Sequence, residues 1–118
     1  MAALVLVCSD LMLQSRVREG AQRLGYETVA VDTEAELRAA LAGDAALVVL
    51  DLHVAGIDWR AAATMTQEGG RPVLAFGRHT EASLLREARE AGCDRVVARS
   101  TLVEELPDLI QGLVRARA

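Results

Sequence analysis

The chain has 118 residues, 52% of them hydrophobic and 25% charged, which suits one domain (residues 1–118) with a real core and excludes a disordered segment. Its formal net charge of -4 argues against a nucleic-acid surface, because such surfaces neutralise phosphates with clustered cations. Two cysteines, Cys8 and Cys93, are too few for a zinc signature or a disulfide scaffold and read as buried reduced thiols. The apolar start, Met1 to Val7, has no basic leader and soon meets Asp10, so neither a signal peptide nor a membrane span is expected, and the expected location is cytoplasmic.

Leu4-Val5-Leu6-Val7 reads as a first buried strand. Ser9 or Asp10 then caps a helix carrying Leu13, Val17, Ala21 and Leu24, and Gly25 ends it. Glu27 to Val31 is a short second strand, less hydrophobic, as expected near a sheet edge. Thr33 and Glu36 have capping-box spacing and open a helix with Leu37, Ala40 and Leu41 inward, closed by Gly43-Asp44.

Ala45 to Leu50 is an unbroken apolar run that ends on Asp51, the pattern of a strand covered on both faces. Ile57 and Asp58 serve as staple and cap for an Ala-rich helix over Trp59–Gln67. Pro72 to Phe76 is a fourth buried strand, with Gly77-Arg78-His79-Thr80 as its exit loop. Glu81 to Ala91 is an amphipathic helix with Leu84, Leu85, Ala88 and Ala91 inward. Arg95 to Ala98 is the last strand. The final helix buries Leu106, Leu109, Ile110, Leu113 and Val114, and Pro107 requires it to start near Val103 or Glu104. Five strand–helix alternations give a doubly wound α/β sheet with helices on both faces.

In such a sheet, ligands gather at the carboxyl ends of the strands. Those ends present Cys8, Ser9 and Asp10, then Asp51, then Gly77 and Arg78, then Arg99 and Ser100. Here the chain resembles the receiver domains of response regulators in bacterial two-component systems, across essentially its whole length. The resemblance is carried by Leu4-Val-Leu-Val, Leu24-Gly-Tyr, Leu47-Val-Val-Leu-Asp51-Leu, Pro72-Val-Leu-Ala-Phe, Ala91-Gly-Cys-Asp and Glu105-Leu106. It implies five parallel strands in the flavodoxin-like order 2-1-3-4-5.

The resemblance further implies that Asp51 holds the phosphoacceptor position. In receivers two acidic residues after the first strand hold magnesium with that carboxylate, because an acyl phosphate concentrates negative charge. A hydroxyl after the fourth strand and a lysine after the fifth contact the phosphoryl group. This sequence departs from the pattern at each helper. The acidic pair falls on Cys8 and Ser9, with Asp10 one position late and aimed elsewhere by the turn. The hydroxyl falls on Gly77 and the lysine on Arg99; all 13 basic residues of the chain are arginine. The loop's Met-Pro and Gly fall on Val54-Ala55 and Trp59.

The expectation is therefore a pseudo-receiver, a signalling protein-interaction module that works without magnesium-assisted phosphorylation, with no cofactor and no catalysis. Asp10 and Asp51 are weak candidates for a metal, and Arg99 is expected to pair with Asp51 as a permanent countercharge. The alternative is a working phosphoacceptor that takes magnesium and phosphorylates itself at Asp51. A flavin-binding electron carrier of the same topology would need a phosphate loop and aromatics that Cys8 to Leu13 and three aromatic residues do not supply.

Expected partners are proteins of a signalling assembly, a histidine kinase or an effector domain, with no direct contact to nucleic acid or membrane. By resemblance, the fourth helix, fifth strand and fifth helix form the contact patch, also for a homodimer, through Arg86, Arg89, Glu90, Arg95 and Leu102. Arg86, Glu87, Arg89 and Glu90 are expected to pair along one solvated helix face. His53 and His79 are expected to be solvated, and Trp59 either to pack the loop after Asp51 or to form a partner-facing anchor.

Overall fold

The computed structural model describes residues 2–116; the outermost positions of the expected domain lie outside the described residues. The strands are β1 (Ala3–Val7), β2 (Glu27–Val31), β3 (Ala45–Asp51), β4 (Val73–Gly77) and β5 (Arg95–Ala98). They alternate with helices α1 (Leu11–Gln22), α2 (Glu34–Leu41), α3 (Trp59–Glu68), α4 (Ala82–Glu90) and α5 (Arg99–Ala116). All pairings are parallel, in the order β2-β1-β3-β4-β5. Sequence order reverses direction between β1 and β3, so the carboxyl ends of those two strands flank a crevice.

Strand composition explains this order. Nearly every residue of β1, β3 and β4 is buried, as continuous apolar runs require when helices cover both faces. The outer strands β2 and β5 each begin with an exposed charged residue, Glu27 and Arg95. Alternate residues then feed two cores. Val5, Val7, Val48 and Leu50 join Leu37, Ala62, Ala63, Leu85 and Ala88 under α2, α3 and α4. Leu4, Leu6, Leu47 and Val49 join Leu13, Val17, Leu102, Leu106 and Ile110 under α1 and α5. A one-residue register slip would exchange these sets, so the pleat holds the strand ends in place.

The helices start where side chains answer their unpaired amides. Asp10 Oδ1 accepts from Met12 N at 3.0 Å and Leu13 N at 3.2 Å. Thr33 Oγ1 accepts from Glu36 N, while Glu36 Oε1 reaches back to Asp32 N, one residue before the box would place it. Asp58 caps α3, with Ile57 buried in the core beside Ala62. At the amino end of the strands, Arg71 donates to the carbonyls of Ala45, Gly69 and Gly43, tying the start of β3 to the end of α3.

Three expectations are corrected. Helix α5 starts at Arg99, not near Val103, and breaks at Glu105 (φ -117°, ψ 18°), two residues before Pro107. The proline rule still operates: the break frees the residues before Pro107 from a helix that its ring would obstruct. The early turn has a second consequence, since it buries Leu102 completely against α1 and the sheet. Leu102 is a core residue and is removed from the contact patch, whereas Arg86, Arg89, Glu90 and Arg95 are exposed. Lastly, Glu87 pairs across to Arg60 of α3 at 3.5 Å, and no pair joins the charges of α4 to one another.

Candidate functional site at the carboxyl end of the sheet

Asp51 ends β3 at 6% exposure, and both its carboxylate oxygens are engaged. His53 N donates to Oδ1 at 2.8 Å, an Asx turn that folds the loop after β3 over the strand end. Cys8 Sγ lies 3.4 Å from Oδ2 and donates its thiol hydrogen there. Cys8 is itself buried, and burial, with Asp51's charge adding to it, pushes its pKa up to about 11. At neutral pH the group is a thiol, and sulfur is a soft donor where magnesium takes oxygen ligands.

Asp10 is committed elsewhere. One oxygen caps α1, and Oδ2 accepts from Arg99 Nη2 at 2.5 Å. The pairing expected between Arg99 and Asp51 is thus corrected: the guanidinium at the start of α5 meets the cap of α1. The cause is burial, because Asp51 sits below the rim whereas Asp10 and Arg99 are both on it. The hydrogen bond from Arg99, reinforced by the Leu13 and Met12 amides, holds the Asp10 carboxyl below its ordinary pKa.

A carboxyl whose folded pKa is depressed adds stability above its unfolded value, about pH 3.9, and loses it as pH falls through the folded one. Arg99→Ala is therefore expected to raise the Asp10 pKa part of the way back, since the two capping amides remain. A carbon-detected NMR titration of the Asp10 carboxyl reads the shift. An unmoved pKa would mean that the pair is not kept in solution.

A cavity of about 50 Å³ remains between Asp51, His53, Phe76, Gly77, Arg78 and Arg99. That is room for roughly one or two waters. Its Gly77 wall is closed: a Cβ there would lie 3.3 Å from Leu85 Cδ2 and 3.4 Å from Leu52 Cδ1. Beyond it His53 is not simply solvated, because Nε2 meets Glu81 Oε1 at 2.6 Å and links the β3–α3 loop to the cap of α4. Trp59 packs against the α2–α4 core, with Arg60 stacked 4.5 Å from its ring centre.

No protein-family model matches the sequence, and no curated protein matches it. Solved structures do. The receiver domain of TorR, response regulator of a TMAO respiratory system, aligns over 100% of both chains with TM-score 0.89 at 16% identity. The beryllofluoride-activated NtrC4 receiver domain dimer aligns over 100% of both chains with TM-score 0.86, also at 16% identity. NtrX from Brucella abortus aligns with TM-score 0.85 at 19% identity over 99% of this chain, which spans only 28% of the NtrX chain. The chain has the response-regulator receiver fold.

With the receiver fold in place, the donor set can be tested against the magnesium that such domains are expected to hold. Magnesium takes about six oxygen ligands in near-ideal octahedral geometry. Here Asp51 offers oxygens already bonded to an amide and a thiol, and Asp10 is divided between a helix cap and an arginine. The residues do not fit the ion. Among the described residues, no three His, Cys, Asp or Glu side chains converge to hold a metal.

Of the expected pocket, Cys8 and Asp51 come into direct contact and Asp10 pairs with Arg99, while Gly77, Arg78 and Arg99 wall the cavity. Ser9 is exposed and outside it. Nothing in the sequence signals the His53–Glu81 link, because 28 residues separate its partners and neither belongs to a motif.

Proposed function

We propose that the chain is a pseudo-receiver, a protein-interaction module of a signalling assembly that keeps one pocket state instead of cycling through an acyl phosphate at Asp51. The single observation that carries this reading is the Cys8 thiol donating to Asp51 Oδ2 at 3.4 Å. Forming an acyl phosphate requires a carboxylate oxygen to attack phosphorus while the bond to the leaving group breaks. The three equatorial oxygens then need a divalent ion and positioned donors. Around Asp51 the nearest replacements are a neutral thiol, a glycine and an arginine already matched by Asp10.

Interaction falls to the surface. Leu11 and Met12, 76% and 80% exposed, stand at the start of α1 beside the Asp10–Arg99 pair. Apolar side chains this exposed next to a paired charge suit a protein partner. Arg86, Arg89, Glu90 and Arg95 offer a separate charged patch on α4 and β5. A histidine kinase or an effector domain fits either place, and so does a second copy of the chain. The cytoplasm is the compartment this reading requires; no helix among the described residues is long and apolar enough to cross a membrane.

One observation favours the working phosphoacceptor instead: Asp51 still borders a cavity that Arg78 and Arg99 also line. Incubation with acetyl phosphate and magnesium, followed by intact-mass measurement, separates the two. The pseudo-receiver gains no phosphoryl group. A stoichiometric adduct that disappears in Asp51→Asn establishes the alternative.

A further inference from the structure

A second and larger cavity, about 540 Å³, opens between α1 and α5 on the outer side of the rim. Its walls include Arg16, Arg78, His79, Arg99, Val103 and Glu104. Three guanidinium groups thus border one cleft with a single carboxylate, in a chain whose formal net charge is -4. Elsewhere on the surface, Arg23, Arg38 and Arg60 each have an acidic partner, while Arg86, Arg89, Arg95 and Arg115 stand unpaired among the described residues but line no common cleft with Arg16. Arg16 and Arg78 have no acidic partner among the described residues, and Arg99 is answered by Asp10 from outside the cleft. Like charges gathered around a concave space repel one another and create a positive potential that an anion relieves.

Size and lining narrow the anion. Clefts of about 300–1,000 Å³ accommodate ligands of nucleotide or drug size, far larger than an inorganic ion. Guanidinium groups grip phosphates through paired N–H donors and also stack on flat rings. Val103 gives the cleft an apolar wall, while the Ser100 hydroxyl and Glu104 carboxylate can bond to sugar hydroxyls or an exocyclic amine. We propose that the cleft between α1 and α5 binds a nucleotide-sized organic polyphosphate, its phosphates held by Arg16 and Arg78. The proposal uses no chemistry at Asp51, so it stands or falls separately from the pseudo-receiver reading.

Isothermal titration of the whole chain with ADP, alongside inorganic pyrophosphate, tests it. ADP is expected to bind saturably at one site, and at least about tenfold more tightly than pyrophosphate. Arg16→Ser and Arg78→Ser are each expected to weaken ADP binding about tenfold or more, the loss of a charge-assisted bond. Arg115→Ser removes the same charge from an exposed residue outside the cleft and should change affinity less than about twofold. Arg16 and Arg78 are exposed, so these variants keep the fold, which circular dichroism verifies. Three results overturn the proposal: no saturable binding of ADP, equal affinity for pyrophosphate, or equal losses in Arg16→Ser and Arg115→Ser.

Discussion

Cys8→Asp is expected to destabilise the protein by about 3–5 kcal/mol in buffer free of divalent ions, and millimolar magnesium is expected to restore much of that loss. Residue 8 is buried and its Sγ lies 3.4 Å from Asp51 Oδ2. A second carboxylate there would face the first with no cation between them. The pair can escape only by sharing a proton, which raises one carboxyl pKa in the folded state. Stability then falls as pH rises through that raised value, so the deficit is greatest at neutral pH and smallest near pH 4. Thermal melts at pH 7 read the loss as a drop of roughly 10–20 °C. Magnesium should raise the midpoint of Cys8→Asp and leave that of the parent chain unmoved. A variant as stable as its parent without magnesium would show that residue 8 does not govern the charge balance at Asp51.

Gly56→Ala is expected to cost about 2–3 kcal/mol although the position is an exposed loop residue. A Cβ at Gly56 would lie 2.1 Å from the Asp32 carbonyl oxygen and 3.2 Å from its carbon. Two effects compete. Alanine restricts the unfolded chain and so stabilises by about 0.4–1 kcal/mol where the native backbone accepts it. Against that, the clash is with backbone, between the end of β2 and the Thr33 cap, and Asp32 N is itself bonded to Glu36. Neither side can give by the ångström or so required, so the overpacking term wins. The loop that must move carries the His53 amide to Asp51, so its amide resonance should shift as stability falls. Urea unfolding checks the magnitude, and a change below about 0.5 kcal/mol would contradict it.

Both expectations rest on contacts between segments far apart in sequence, which is where reading the sequence stopped. Local signals carried the fold. The apolar runs of β1, β3 and β4, the caps at Asp10, Thr33 and Asp58, and the outermost strands starting at Glu27 and Arg95 are each written within a few residues. The departures at Cys8, Ser9, Gly77 and Arg99 are legible only through the resemblance, which assigns a helper residue to each of those strand ends. Partner choice is not legible. That Arg99 would take Asp10 depends on a one-turn earlier start of α5, and the helix rule for Pro107 gave no hint of a turn before the break at Glu105. The same early turn carried Leu102 into the core. Arg16 and Arg78 lie 62 positions apart (78 less 16), and no spacing rule brings them to one cleft.

The carboxylate of Asp51 is satisfied by a thiol and an amide, and its surroundings do not fit a divalent ion. The most direct measurement follows the His53 amide, which donates to Asp51 Oδ1, by NMR as magnesium is added to the unmodified chain. The predicted result is no saturable shift of that resonance into the tens of millimolar. A saturable shift at low millimolar magnesium, lost in Asp51→Asn, would contradict the account.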